Sequence, residues 1–415
     1  MQRGDTKKGA FMAHKVEEYT QFVSDTEMCD LYKAARRLYG TRVVHTNSTY
    51  YGGGVAEILS ALVPLMNDIG ILTGWRLLRG SPDFFNITKK FHNALQGDSV
   101  NLTEMKKKIY VQTNVDFAMY NHINHDCVIV HDPQPLPSIK FYRKTQPWIW
   151  RVHIDISNPN ETLWDFLKHY VLRYDVLIVS SEMYKRPDLP LEQRVIHPAI
   201  DPLNPKNIPL DEKTIDKYLK KFKIPTDKPL LCQISRFDKW KDPEGVVKVF
   251  KIVKEKIDCR LVLCGSMATD DPESYQSFER LKKNTNHLAK NNDLILITSE
   301  NNILVNVLQR KAAVIIQKSL REGFGLTVTE ALWKEKPVVA SKVGGIQLQI
   351  KDGENGFLVD PEDANAFADK IIEILKTPTL GVMLGKKGKE DVRKKFLITR
   401  LLRDYLDLIH ELVHA

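Results

Sequence analysis

The sequence predicts two doubly wound α/β domains that face each other across a cleft, and three observations support this prediction. Short runs rich in β-branched residues alternate with longer amphipathic stretches, which is typical of βαβ units on a parallel sheet. The alternation stops at a proline-rich stretch, residues 195–210, and then restarts. A chain of 415 residues is also long enough for two or three domains.

The predicted elements divide the chain at the proline-rich stretch. Before it, the predicted strands are RVVHTNS, ILTGWRLL, CVIVHD, WIWRVHID and VLIVSS. After it, they are LLCQISRF, CRLVLCGS, LILITS, AVIIQKS and PVVASKVGG, with a helix over 245–257. We predict a Rossmann-like domain over 1–201 with an N-terminal helical extension, a second over 202–380, and a helical tail over 381–415 that packs back on the first. Ligands of such sheets bind at the carboxyl ends of the strands, so the cleft is the expected site.

Composition narrows the class of protein. Hydrophobic residues make up 43% of the chain, and the longest apolar runs fall well short of the roughly 20 residues that cross a bilayer. The start of the chain lacks a secretory pattern, so we expect a cytoplasmic protein without a membrane partner. The five cysteines have no ligand spacing and are predicted to be reduced core residues.

The formal net charge of +9 favours an anionic partner, which could be nucleic acid, a membrane surface or a phosphorylated small molecule. The strongest basic run, KKGKEDVRKK, contains acidic residues and has no interleaved aromatic side chains for base stacking. We interpret it as a solvated helix face. A nucleic-acid-binding protein is therefore the distant alternative, and no nucleic acid is the expected partner.

A strand, a glycine loop and a helix follow one another in AVIIQKSLREGFGLTVTEALW. Glycines let a backbone approach a phosphate, and the first amides of a helix favour an anion. Glu322 lies in the loop and Glu330 about one turn into the helix, where each carboxylate could accept hydrogen bonds from ligand hydroxyls. The predicted anion-binding residues are Gly323, Phe324, Gly325, Leu326 and Thr327.

Other candidate residues follow predicted strands. Arg236 and Lys241 come after LLCQIS, His153 and Asp155 lie in RVHID, and Asp132 lies in HDPQP. The glycines 52–54 open the first helix of the first domain and lack the G-x-G-x-x-G spacing, which makes a nicotinamide enzyme the weaker interpretation. Taken alone, each of these elements could also be an ordinary turn, a solvated basic loop or a strand end.

The stretches EGFGLTVTE, KPVVASKVGG and ISRFDKWKD together resemble the donor site of retaining family 4 glycosyltransferases, which have the GT-B architecture of two Rossmann-like domains. The resemblance implies that Arg236 and Lys241 bind the diphosphate of a nucleotide sugar. It implies that Glu322 holds the transferred sugar and Glu330 the ribose. His153 matches a histidine that contacts the donor sugar, and Gly53 and Gly54 fall beside the donor.

Within that family, HTNSTYYGGGVAEIL, FFNITKKFHNALQG, HDPQP and RVHIDISNPN resemble trehalose-forming glycosyltransferring synthases of thermophiles and, more distantly, trehalose phosphorylases. This resemblance implies transfer of glucose from ADP-, UDP- or GDP-glucose to free glucose. The acceptor would lie in the first domain, near Asp132, Asp155, Asn86 and Lys89. A phosphorylase and a family 4 transferase with another acceptor remain the alternatives.

The resemblance implies no required cofactor and no metal ligands, and Mg²⁺ could bind although no residue pattern implies it. It leaves a homodimer open. Residues 182–194 and 266–293 carry no recognisable site residues, apart from Asp270 and Asp271, which could line the nucleotide side.

Overall fold

The computed structural model describes residues 14–50, 53–265 and 272–414. These residues form two six-stranded parallel sheets, each covered by helices, so the predicted doubly wound α/β class is confirmed. Asp270, Asp271 and Gly52, which the sequence marks as candidates, lie outside the described residues.

The first sheet belongs to the N-terminal half of the chain, which we call the first lobe. Its strands are β1 (Arg42–Asn47), β2 (Leu72–Leu77), β3 (Cys127–His131), β4 (Trp148–Arg151), β5 (Val176–Val179) and β6 (Glu192–Val195). Its helices are α1 (Asp25–Arg36), α2 (Gly53–Asp68), α3 (Pro82–Leu95), α4 (Glu104–Tyr120) and α5 (Glu161–Val171). The strand order is β2-β1-β3-β4-β5-β6.

The second sheet forms the second lobe. Its strands are β7 (Leu230–Ile234), β8 (Arg260–Gly265), β9 (Leu294–Thr298), β10 (Val314–Gln317), β11 (Val338–Ser341) and β12 (Phe357–Val359). Its helices are α6 (Glu212–Lys221), α7 (Pro243–Lys256), α8 (Pro272–Asn284), α9 (Asn286–Lys290), α10 (Asn302–Lys311), α11 (Leu326–Trp333) and α12 (Ala364–Lys376). The strand order is β12-β11-β10-β7-β8-β9.

In each sheet the direction of strand addition reverses at one place. The reversal lies between β1 and β3 in the first sheet and between β7 and β10 in the second. At such a switch point the connections leave toward opposite faces, and a crevice opens at the carboxyl ends of the two strands. The candidate residues that follow β1, β3, β7 and β10 therefore lie beside these crevices.

The tail forms α13 (Pro378–Lys395) and α14 (Ile398–Val413). The apolar face of α14 packs against α1 and α2 of the first lobe, with Leu402 and Leu406 fully buried in the same core as Leu59. Leu397 pairs with Ile200 in an isolated parallel bridge, so the tail returns beside the proline-rich stretch. The chain thus crosses between the lobes twice.

The core follows most of the expectations. Trp148 and Trp150 are fully buried, as expected of an apolar strand. The described cysteines are free, and four of them are buried in or next to strands. Cys29 is the correction: it is exposed, because α1 turns Met28 and Leu31 to the core and leaves position 29 outside. Among the described helices, none is both long and apolar enough to cross a bilayer.

Candidate active site

The glycine loop, residues 318–325, connects β10 to α11 at the switch point of the second sheet. Gly325 has φ 86° and precedes the first residue of the helix, a backbone conformation that side chains disfavour. The side-chain amide of Gln349 donates to the carbonyl oxygens of Phe324 at 2.6 Å and Gly325 at 3.3 Å. These contacts hold the loop so that the N-terminus of α11 opens toward the crevice.

Glu322 is the most strongly held side chain of this loop. Its Oε2 atom accepts hydrogen bonds from Lys241 Nζ at 2.5 Å, Ser319 Oγ at 3.1 Å and Gln317 Nε2 at 3.3 Å. Among the described residues, none donates to Oε1. Glu322 is 8% exposed, and its carboxylate keeps one oxygen available to a ligand.

Lys241 and Arg236 both follow β7, the strand next to β10. Gln233 Nε2 donates to the carbonyl oxygen of Lys241 at 2.9 Å, which anchors the turn to the sheet. Arg236 lies 2.9 Å from Asp238 Oδ2, and its side chain is 39% exposed. The structure thus brings together Lys241 and Glu322, which are 81 residues apart in the chain, and leaves Arg236 at the rim.

Glu330 lies in a buried charge cluster between the lobes. Lys206 Nζ, from the proline-rich stretch, lies 3.6 Å from Glu330 Oε1 and 2.5 Å from Glu57 Oε2 on α2. Lys334 Nζ donates to the carbonyl oxygen of Glu330, and burial lowers the pKa of Lys334 to about 7. Burial raises the pKa of Glu57. Glu330 is 1% exposed, so a ligand reaches it only in competition with Lys206.

A glycine of each lobe lies close to residues of the other lobe. A Cβ atom on Gly54 would lie 3.0 Å from Leu326 Cδ1, and one on Gly323 would lie 2.5 Å from the carbonyl oxygen of His153. Gly53 has φ 79°, which favours glycine. Thr327 stays within its own lobe, where its hydroxyl donates to Gln317 Oε1 at 3.0 Å. The predicted glycine elements are therefore in close contact.

His153 follows β4 and is fixed by Asp132, which follows β3. The Asp132 carboxylate accepts the backbone N–H of His153 at 2.9 Å, and Trp150 Nε1 donates to the Asp132 carbonyl oxygen at 3.0 Å. Asp132 adopts φ 61°, and burial raises its pKa to about 6. His153 Nε2 lies 2.9 Å from His131 Nδ1. His131 therefore holds the His153 ring at Nε2, the ring nitrogen farther from the backbone.

The other acceptor candidates are less closely tied to this centre. The Asp155 carboxylate accepts from the backbone N–H and the hydroxyl of Ser157, at 2.9 and 2.6 Å. On α3, Asn86 is exposed and Lys89 is half-buried. The acceptor roles of Asp155, Asn86 and Lys89 stay predictions. Among the described residues, no group of His, Cys, Asp or Glu side chains converges as metal ligands do.

The sequence shows no recognisable site residues in 182–194, but Tyr184 of this stretch contacts the glycine loop. Its hydroxyl lies 3.0 Å from the carbonyl oxygens of both Glu322 and Gly323, so the first lobe supports the glycine loop. The same stretch contains β6, which the sequence did not predict. No local signal could have found Tyr184, because its partners lie 138 and 139 residues away in the chain.

Sequence comparisons identify the family of this chain. Residues 45–186 match the family model for the trehalose synthase N-terminal domain, and residues 214–391 match the one for group 1 glycosyl transferases. Trehalose synthase of Pyrococcus horikoshii is 44% identical over 96% of both chains. That of Rubrobacter xylanophilus is 43% identical over 96% of this chain and 98% of its own. A trehalose phosphorylase of Pleurotus pulmonarius is 27% identical over 86% of this chain and 56% of its own.

Solved structures share the architecture. Sucrose-phosphate synthase from Thermosynechococcus elongatus has a TM-score of 0.71 at 19% identity, covering 90% of this chain and 99% of its own. The α,α-trehalose 6-phosphate synthase from Burkholderia multivorans has a TM-score of 0.71 at 15% identity, covering 90% and 98%. These likenesses confirm the GT-B fold. With the family matches and the relatives that are over 40% identical along almost the whole chain, they show that this protein belongs to the trehalose synthase family of glycosyltransferases.

Proposed function

We propose that this glycosyltransferase makes trehalose from a nucleoside diphosphate glucose and free glucose, with retention at the donor carbon. Family membership supports glycosyl transfer that produces trehalose. The observation that carries the site assignment is the Lys241–Glu322 pair, which lies at the switch point of the second sheet beside the N-terminus of α11. A cation, a carboxylate and free helix amides in one crevice suit a sugar diphosphate.

In this proposal the diphosphate lies between Lys241, Arg236 and the first amides of α11, with Gly323, Phe324, Gly325, Leu326 and Thr327 around it. Positive groups placed where the leaving phosphate gains charge stabilise the transition state more than the ground state. Glu322 Oε1 accepts hydrogen bonds from hydroxyls of the transferred glucose. Glu330 accepts hydrogen bonds from the ribose hydroxyls. This requires Lys206 to move away from the Glu330 carboxylate or to share that carboxylate with the ribose.

The transfer proceeds by front-face displacement. The acceptor oxygen forms a bond to the anomeric carbon while the bond from that carbon to the phosphate oxygen breaks, and the hydroxyl proton passes to that phosphate oxygen. No carboxylate nucleophile is assigned. Burial lowers the pKa of His153, so the imidazole is neutral and orients the donor sugar. Closure of the lobes excludes water and limits hydrolysis of the donor.

The acceptor glucose would lie in the first lobe near Asp132, Asp155, Asn86 and Lys89. We keep the division into 1–201, 202–380 and 381–415 as the proposed domain organisation. Cytoplasmic location and independence from a metal cofactor are further parts of the proposal, as is the absence of nucleic-acid and membrane partners. The proposal leaves a homodimer open.

One assay tests the function. The protein is incubated with glucose and ADP-, UDP- or GDP-glucose, and the products are identified by anomeric configuration. An α,α-linked non-reducing disaccharide is expected with at least one donor. Hydrolysis alone, or transfer only to a polysaccharide, would overturn the proposal.

The similarity to a trehalose phosphorylase favours one second candidate. In that reaction, inorganic phosphate would occupy the diphosphate site. Glucose 1-phosphate as donor with glucose as acceptor then gives trehalose and phosphate, and nucleotide sugars give none. Comparing the two kinds of donor separates the candidates.

A further inference from the structure

Three histidines form a hydrogen-bonded chain through the first sheet. His45 is in β1, His131 ends β3 and His153 follows β4, on three neighbouring strands. His45 Nδ1 lies 2.9 Å from His131 Nε2, and His131 Nδ1 lies 2.9 Å from His153 Nε2. Ring centroids are 5.2 Å apart at both steps, with interplanar angles of 30° and 18°. The rings therefore meet edge to edge, as a hydrogen bond in the ring plane requires. The chain runs from the core of the lobe to the cleft.

The number of N–H protons on the three histidine rings is fixed. Burial lowers the pKa of all three imidazoles, that of His45 to about 3, and the nearby guanidinium of Arg151 further lowers those of His131 and His153. Three neutral rings carry three N–H protons. Each ring-to-ring hydrogen bond uses one proton, so two lie inside the chain. The third lies at one end, on His45 Nε2 or on His153 Nδ1.

The two ends differ in their surroundings. His45 Nε2 is buried and has no hydrogen-bond partner among the described residues. Tyr405 packs on His45 at 5.8 Å between ring centroids, and an aromatic ring is at best a weak acceptor. A buried N–H without a partner is among the rarest groups in proteins. His153 is only half-buried, and its Nδ1 is not one of the buried nitrogens that lack a partner. The third proton is therefore better placed on His153.

We propose that His45 and His131 hold His153 as the Nδ1–H tautomer, so that His153 donates a hydrogen bond to a sugar oxygen in the cleft. His45 Nδ1–H donates to His131 Nε2, and His131 Nδ1–H donates to His153 Nε2. His45 and His131 are positioning residues that act through His153. The identity of the ligand as a sugar rests on the proposed function, whereas the tautomer does not.

The backbone of His153 is fixed separately from its ring. Asp132 accepts the His153 backbone N–H, and Gly323 packs against its carbonyl oxygen. Removing His131 therefore leaves the position of residue 153 in place and releases only the rotation and protonation of the ring. This separation makes a spectroscopic test possible.

The test measures ¹⁵N shifts of histidine-labelled protein without substrate, with the His153 signals identified by their loss in His153→Asn. We expect a protonated Nδ1 and an unprotonated Nε2 on His153. In His131→Asn, the amide nitrogen occupies the place of the ring Nδ1 and can still donate, so the tautomer is retained. In His131→Leu the donor is gone, and His153 shifts to a mixture of tautomers.

Kinetics give the second measurement. The net contribution of one hydrogen bond corresponds to about tenfold, so we expect His131→Leu to lower kcat about tenfold with little change in KM for glucose, whereas His131→Asn stays close to wild type. The proposal is overturned if His153 of the wild type is protonated at Nε2. It is also overturned if His153 has the same tautomer in His131→Asn and in His131→Leu. If His131→Leu does not fold, the wild-type spectrum still decides. If the spectrum is as expected but no nucleotide glucose yields trehalose, only the proposed function fails.

Discussion

The two lobes stabilise buried polar groups at the cleft in different ways. The second lobe uses ion pairs, Lys241 with Glu322 and Lys318 with Asp242. The first lobe uses neutral imidazoles together with the Asp132 carboxyl, whose pKa is raised to about 6. A cation held by a carboxylate can turn to an anionic ligand, whereas a neutral donor suits a sugar hydroxyl. The difference matches the proposed division of the ligand, with diphosphate on one side and glucose on the other.

The largest expected effect comes from breaking the ion pair of the second lobe. Lys241→Ala removes the cation that faces the leaving diphosphate. Glu322→Gln removes the negative charge that holds the Lys241 ammonium group in place. We expect turnover to fall by about 10²- to 10³-fold in each, as for loss of one preorganised contact to developing charge. Initial rates of trehalose formation at saturating donor measure this.

The control for this prediction is Lys351→Ala, which breaks an exposed pair with Glu354 in the same lobe. Such pairs contribute little, so its rate should match wild type. Near-normal turnover of both Lys241→Ala and Glu322→Gln would contradict the site assignment.

The second prediction concerns the charge cluster between the lobes. Lys206→Ala leaves Glu57 and Glu330 close together without their shared cation. Removing one partner of a buried pair costs about 3–5 kcal/mol. Because the Lys206 side chain is still 19% exposed, we expect a loss of about 2 kcal/mol. The midpoint of urea unfolding should fall accordingly.

Lys311→Ala is the matched control, since Lys311 pairs with Glu212, whose side chain is 76% exposed. Its unfolding midpoint should change little. Equal midpoints for the two lysine variants would show that Lys206 does not hold the lobes together.

The smallest expected effect concerns the three neutral histidines of the first lobe, His45, His131 and His153. The pKa of His45 is about 3 in the folded protein, against an ordinary value of 6.5. Below pH 6.5 the unfolded chain binds a proton that the folded protein refuses, so stability falls as the pH drops toward 3. One such group contributes about 1.4 kcal/mol per pH unit.

His45→Asn keeps a donor near His131 and removes the titrating ring. Its loss of stability between about pH 5.5 and about pH 4.5 should be smaller than that of wild type by about 1.4 kcal/mol. Unfolding curves at the two pH values measure the difference. If both proteins lose the same amount of stability between the two pH values, His45 titrates normally and the three histidines are not all neutral.

In the second lobe the sequence located most of the candidate residues, whereas in the first lobe it located Asp132 and His153 but missed the residues that hold them. Gly323, Gly325 and Glu322 lie within four residues of one another, in a strand-loop-helix segment whose local geometry already suits an anion. Tyr184 supports that segment from the other lobe and carries no local pattern. His153 was found by position after a strand, but its partners His131 and His45 were not.

By itself the sequence determined the two α/β lobes, the buried strands and which charged residues follow them, because hydrophobic periodicity and turn residues act over short stretches. Only the tertiary structure decided the partners: Lys206 with Glu57 and Glu330, and His45 with His131, which are 86 residues apart. Parallel strands become neighbours only after a helix has crossed between them. Which side chains meet, and which lose water and shift their pKa, therefore depends on strand order and on how the lobes close.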